Sequence, residues 1–344
     1  MYEDFYKLSG KPFQLNPDPT FFFGSRGHKR AFAYLQYGVY QSEGFIVITG
    51  EVGAGKTTIV RNLFENLDRA RLVAAQIVST QLEADDLLRS VATAFGLPMR
   101  AVDKATLLAS LEAFLCKLAI DGKRALLVVD EAQNLSPRAI EELRMLSNFQ
   151  LGEHALLQSF LIGQPELREM MQGAQMSQLR QRVIASYHLG PLDKSETQAY
   201  VEHRLRRVGW TGDPSFDPAT FDVIHGASGG IPRRINTLCN RLLLAGFLGE
   251  KHAFDVADVQ AIVTEISDEM GPDVSVAGAA ARRLREADVL YDMPRPRASD
   301  GADWSSRLHT IESRIERLEK TMATAVDLLH RALNRPVKPG SAKP

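Results

Sequence analysis

The chain has 344 residues and a mass of 38.1 kDa, with 44% hydrophobic, 24% charged and 8% aromatic residues, the balance of an ordinary globular protein with room for more than one domain. Its 41 basic and 42 acidic side chains leave a net charge of −1, which argues against a polybasic nucleic-acid coat or an acidic disordered tail. Cys116 and Cys239 lack metal-ligand spacing and are too few for a disulfide framework, so a soluble protein of the reducing cytoplasm is expected. No apolar run approaches the ~18–20 residues that span a bilayer. The start, Met1-Tyr2-Glu3-Asp4-Phe5, lacks the basic and apolar regions of a signal peptide.

In chain order, residues 1–44 are rich in aromatics and prolines (Pro12-Phe13, Pro17-Asp18-Pro19, Phe21-Phe22-Phe23) and read as an ordered arm more than as a helix. Over residues 45–192, short apolar runs alternate with amphipathic stretches. The runs are Phe45–Thr49, Leu72–Val78, Ala125–Val129, Leu156–Ile162 and Ile184–Leu189. Such runs between helices predict an α/β fold, an αβα parallel sheet covered on both faces. Over residues 193–268 the strands stop and helical periodicity takes over, predicting a small all-helical lid domain. Pro, Gly, Asp and Arg dominate residues 269–303, read as a flexible linker. In residues 304–334, Leu308, Ile311, Ile315, Leu318, Met322, Ala325 and Leu329 recur at spacings of three and four. That is a coiled-coil helix of about three heptads. With Leu308 at position a, Arg307 and Arg314 at g would pair with Glu312 and Glu319 at e across a parallel dimer.

The segment Gly50-Glu51-Val52-Gly53-Ala54-Gly55-Lys56-Thr57 matches G-x-x-x-x-G-K-[ST] in full, directly after the strand run Phe45–Thr49. Glycines let the backbone curl so that successive amides point at phosphate oxygens. Lys56 supplies a point charge for the β- and γ-phosphates, and Thr57 a hydroxyl for Mg²⁺, with Thr58 beside it. A helix expected from Lys56 to Asp68 aims its N-terminal dipole at the same anion. A nucleotide and Mg²⁺ are the ligands this pattern predicts.

The run Leu126-Leu127-Val128-Val129 ends in Asp130-Glu131. In a doubly wound sheet, ligands sit beyond the carboxyl ends of the strands, which sets both carboxylates level with the phosphate loop. Asp130 is expected to hold Mg²⁺ through its water shell and Glu131 to polarise the attacking water. Gln164, after the Leu156–Ile162 strand, is placed to sense the γ-phosphate. Arg180 and Arg182, before the last strand, are candidates for an arginine finger into a neighbouring subunit's site. Arg233, in Gly229-Gly230-Ile231-Pro232-Arg233-Arg234-Ile235-Asn236, begins a lid helix with Pro near its first turn and is expected to reach back to the nucleotide. Arg234 is read as its solvent-facing neighbour.

The phosphate loop, the Asp-Glu strand, the polar residue on the next strand and the Gly-x-Pro-Arg helix resemble the AAA+ ATPases in kind and order, over residues 1–268. The arm (Met1-Tyr2, Phe5-Tyr6, Leu8, Pro12-Phe13, Leu15, Pro17-Asp18-Pro19, Phe21), Thr49–Lys56, Gly163-Gln164-Pro165-Glu166-Leu167 and Gly230–Asn236 are similar to the GspA/ExeA general-secretion type. Within that type they are most similar to the stand-alone ATPase of exosortase (PEP-CTERM) and exopolysaccharide systems. The resemblance implies ATP hydrolysis for an envelope secretion or exopolysaccharide export apparatus, a membrane-embedded partner, and a ring or other homo-oligomer. It also implies a cytoplasmic protein recruited to the inner membrane, with the arm near the adenine through Phe22, Phe23 or His28. A simpler role for the arm is to cover the sheet edge. Proteins of the GspA type carry a transmembrane segment and a peptidoglycan-binding part after the ATPase. This sequence shows neither, which leaves the heptad segment as the expected docking element.

Two other functions fit the same motifs. A DNA-associated regulator of transposition or origin type is disfavoured by the net charge and by the lack of an appended helix-turn-helix. The basic cluster Arg204, Arg206 and Arg207 is short and has Glu202 close by, so nucleic acid is not an expected partner. A nucleotide-gated scaffold with little turnover is the third reading.

Overall fold

The computed structural model describes residues 1–79, 82–97 and 103–270. Its first half runs through the single turn α1 (Tyr2–Phe5), α2 (Arg26–Gln41), β1 (Phe45–Gly50), α3 (Lys56–Glu65), β2 (Leu72–Val78), α4 (Ala84–Ala94), α5 (Lys104–Ile120) and β3 (Arg124–Asp130). Then follow α6 (Pro137–Leu146), the hairpin strands β4 (Gln150–Leu151) and β5 (His154–Ala155), β6 (Leu157–Gly163), α7 (Pro165–Gln172), the short α8 (Ser177–Arg180) and β7 (Val183–Leu189). The last part holds α9 (Lys194–Arg206), β8 (Ser215–Phe216), α10 (Pro218–Ser228), α11 (Pro232–Leu248), β9 (Ala253–Phe254) and α12 (Val256–Met270).

The five apolar runs form one parallel sheet in the order β2-β3-β6-β1-β7, each strand within a residue of its expected ends. Successive side chains of a strand point to opposite faces, and the core divides accordingly. Phe45, Val47, Leu127, Val129, Leu157 and Leu161 pack under α4, α5, α6 and α7. Ile46, Ile48, Leu126, Val128, Phe160 and Ile162 pack under α2 and α3. Because every strand runs the same way, Gly50, Asp130 and Gly163 end together. The phosphate loop, the carboxylate pair and Gln164 therefore share one rim.

Residues 26–41, expected as arm rather than helix, form the four-turn helix α2. Ser25 caps it by accepting from the His28 N–H, and His28, Ala31, Leu35 and Gly38 line its buried side. The Pro and Phe content of residues 12–23 masked that spacing. A Cβ on Gly38 would meet Ile46 at 2.5 Å and Phe160 at 2.7 Å, so glycine lets α2 lie directly on the sheet. Helix α3 ends at Glu65, short of the expected Asp68.

The lid is not all-helical. A two-residue parallel pair, Ser215↔Ala253 and Phe216↔Phe254, ties α10 to α12, and two residues leave no alternation to read. The β4–β5 hairpin went unread for the same reason. Helix α12 runs to Met270, past the expected boundary at 268. The rest of the linker and the heptad segment lie outside the described residues. Among the described residues, no helix is long and apolar enough to cross a membrane.

The arm belongs to the lid. Tyr2, Tyr6, Leu8 and Phe13 are buried in one core with Leu192, Tyr200, Val201, Leu205, Phe221, Ile235 and Leu242. Tyr2 Oη donates to Asn240 Oδ1 at 2.8 Å and Tyr6 Oη to the Lys251 carbonyl at 2.9 Å. Further along, the Arg61 guanidinium of α3 donates to the Pro17 carbonyl. The arm thus starts inside the lid and crosses to the sheet domain. Its helix α2 bears on the edge strand β7, where the rings of Tyr34 and Tyr187 lie 5.5 Å apart.

Candidate nucleotide site

Backbone geometry explains the glycines of the loop. Gly53 (φ 81°) and Gly55 (φ 99°) are left-handed. A Cβ on Gly53 would lie 2.4 Å from Arg233 Cβ, and one on Gly55 would lie 2.7 Å from His28 Nε2. The loop is gripped by the lid helix on one side and the arm helix on the other.

Lys56 is 6% exposed and its Nζ donates to the carbonyls of Gly50 at 2.6 Å and Glu51 at 3.0 Å. Burial pushes the ammonium pKa down, opposed by the charges of Glu131 and Asp130. The ammonium lies folded over the cradle in which phosphates would sit. Asp130 is 3% exposed; it accepts from Thr57 Oγ1 at 2.9 Å and from the Glu131 N–H at 3.0 Å. Burial raises its pKa despite both hydrogen bonds, so the carboxylate gains from a cation beside it. A hydroxyl and a carboxylate, hard oxygens side by side, suit Mg²⁺, which keeps most of its waters. Thr57 and Asp130 are the residues that would hold it, and there the ion would neutralise phosphate charge.

Glu131 sits at φ 54°, ψ 39°, a left-handed conformation that costs a non-glycine residue ~1–3 kcal/mol. Its Oε2 accepts from Gln133 Nε2 at 2.6 Å and from Gln164 Nε2 at 3.0 Å. The Gln164 N–H in turn donates to Gln133 Oε1 at 3.0 Å. Burial would raise the Glu131 pKa, but the two amides and the Lys56 charge together bring it below the usual range. The carboxylate stays ionised, with Oε1 free of protein donors among the described residues. Gln133 was not singled out from the sequence. Its only signal was position: two residues past Glu131, one tight turn returns it beneath the carboxylate.

The Arg233 N–H donates to the Gly53 carbonyl at 3.2 Å and its side chain lines the cleft; Arg234 is exposed, as expected. Arg180 and Arg182 are not brought to this chain's loop. Arg180 Nη1 donates to the carbonyls of Met171 (2.6 Å) and Gly173 (2.8 Å), and Arg182 Nη1 to Ser147 O (3.1 Å) and Oγ (2.9 Å). Phe21, Phe22, Phe23, Tyr200, Arg204 and Asn236 line the same cleft. His28 bonds to the loop itself, its Nε2 3.0 Å from the Ala54 carbonyl and its Nδ1 2.7 Å from Ser25 Oγ. The basic cluster is no patch: Arg204 turns inward at 5% exposure, while Arg206 pairs with Glu202 at 2.6 Å.

Comparison with known proteins agrees with this geometry. Residues 39–171 match the AAA domain family. The chain is an AAA-fold ATPase. It is 40% identical over 288 residues, 81% of its length, to "General secretion pathway protein A" of Aeromonas hydrophila. It spans about half of that relative, 52%. The fold is similar to Aeropyrum pernix ORC2 in ADPNP–ADP complexes (TM-score 0.57, 16% identity, 74% of this chain and 71% of that one). It is also similar to Drosophila ORC bound to DNA (0.56, 17%, 79% and 66%) and to Cdc6p from Pyrobaculum aerophilum (0.53, 16%, 76% and 70%).

One pH dependence of the ATPase follows from His28. Burial lowers its pKa, only partly opposed by the bond to Ala54 and the charge of Glu196. The neutral ring, assigned from its partners, donates from Nε2 to Ala54 O and accepts at Nδ1. The unfolded chain binds this proton more readily. The stabilisation is therefore complete above the ordinary histidine pKa of ~6.5 and declines as pH falls below it. His188 and His203 are lowered as well, both chiefly by burial, so the effect is a difference between proteins. Between about pH 7.5 and pH 5.5, the melting temperature of His28→Gln should fall less than that of the parent ATPase. Equal falls would detach His28 from the loop's stability.

Proposed function

We propose that this ATPase powers or regulates an envelope secretion or exopolysaccharide export apparatus. In this reading it acts through a membrane-embedded partner, as a ring or other homo-oligomer, and is recruited from the cytoplasm to the inner membrane. The observation that carries the reading is 40% identity over 81% of the chain to a general-secretion protein. The arm and lid motifs support the narrower exosortase-associated type.

In the proposed chemistry, Glu131 Oε1 takes a proton from the attacking water while Gln133 and Gln164 fix its other oxygen. Lys56 and the loop amides bind the phosphates. Arg233, on the lid, couples closure to the γ-phosphate. Arg180 or Arg182 of one subunit serves the site of its neighbour, and residues 304–334 supply self-association or docking.

Lys56→Ala tests the whole reading at once. It should abolish ATP binding in vitro and, expressed in place of the parent, stop export and leave the protein still able to associate with the membrane fraction. Mixing it with Arg180→Ala or Arg182→Ala subunits should restore part of the turnover each lacks, because an arginine finger supplies ~10³–10⁵ in rate. Normal export by the Lys56→Ala strain, or salt-dependent DNA binding with no membrane association, would overturn the export function. Absence of restoration in every mixture would remove the shared site.

A further inference from the structure

The nucleotide cleft has a volume of about 210 Å³, and one of its lining residues has no place in the chemistry above. Arg204, on α9, is 5% exposed but forms no ion pair with any described carboxylate. Asp18 acts on it from a distance, its oxygens taken by Thr20 and Gln14. The guanidinium carbon lies 4.5 Å from the centre of the Phe21 ring and 5.8 Å from that of Tyr200. Nη2 donates to the Gln14 carbonyl at 2.8 Å. Nε is buried without a partner, and Nη1 makes no hydrogen bond among the described residues.

A buried cation with spare donors asks for compensation. Holding the arm does not explain it. One N–H to Gln14 would do that, and a lysine could make the same bond; a planar fork backed by an aromatic ring is needed where in-plane N–H groups must be aimed. Phe21 and Tyr200 supply only the faces of their rings. The same cleft is lined by Phe21, Phe22, Phe23 and Tyr200, by the arm residues 14–18 with the carboxylate of Asp18 among them, and by Asn236.

We infer that Arg204 reads the nucleobase: its guanidinium donates to a ring nitrogen of the adenine, and this residue sets the preference for the base. The inference rests on the nucleotide reading of the site. An arginine N–H to a ring acceptor is charge-assisted, so its loss is felt as a clear drop in affinity.

Calorimetric titration of the full chain with ATP, its 1-, 3- and 7-deaza analogues and inorganic tripolyphosphate, all with Mg²⁺, tests this. One deaza analogue, lacking the acceptor, should bind the parent ~10–100-fold more weakly than ATP does. Arg204→Lys should weaken ATP by a similar factor, show no further loss with that analogue, and bind tripolyphosphate as the parent does. The inference is overturned if all three analogues bind the parent like ATP, a result that needs no variant to fold. It is overturned equally if Arg204→Lys weakens tripolyphosphate as much as ATP. If the parent binds tripolyphosphate but gains nothing from the base, only this inference fails. If it binds neither compound, the nucleotide reading fails first.

Discussion

Glu131→Gln should leave ATP bound and nearly stop its hydrolysis. The glutamine oxygen can still accept from Gln133 and Gln164, which now hold Glu131 Oε2 at 2.6 and 3.0 Å, so the shape of the site survives. What is lost is basicity at the other oxygen. General-base catalysis contributes ~10²–10⁴ in rate, and a loss of that size in kcat with ATP affinity within ~3-fold is the expected pattern. Single-turnover hydrolysis with pre-bound ATP separates the two quantities. Parent-like turnover in the variant would mean that another group takes the proton.

Phe13→Ala should cost ~3–5 kcal/mol, because the ring is 1% exposed inside the lid core and its removal leaves a cavity. That is a large share of the ~5–15 kcal/mol that holds a domain together. The loss should be regional. Hydrogen exchange is expected to speed up across α9–α12 while β1, β3 and β6 stay protected, and ATP affinity should drop because Arg233 and Arg204 ride on the loosened lid. Unchanged protection across α9–α12 would show that the arm merely rests on the lid.

What could be read from the residues depended on how far each signal reaches along the chain. The strands were legible because each is an unbroken apolar run, and the phosphate loop because its geometry forces glycine at Gly53 and Gly55. Asp130 and Glu131 followed from an apolar run ending in two carboxylates, which strand direction sets level with the phosphate loop. Gln133 did not, since its partner Gln164 lies 31 residues away at the end of another strand. Arg204 looked like one of three surface arginines, and only the fold of Phe21 and Gln14 over it reveals a buried cation. Helix α2 was hidden by the aromatics that precede it. The alliance of arm and lid was out of reach for a simple reason: no local pattern marks a contact such as Tyr2 to Asn240, 238 residues apart.

That separation has a consequence for synthesis. Ribosomes add ~5–20 residues per second, so Tyr2, Tyr6, Leu8 and Phe13 wait roughly 12–50 s before α11 leaves the exit tunnel to receive them. Meanwhile the sheet domain between them can fold, leaving a sticky aromatic leader dangling from the nascent chain. A chain released before residue 250 would keep that leader exposed for good and present it to chaperones and proteases. The apolar residues of the arm are therefore covered only once the last helices of the lid have been made.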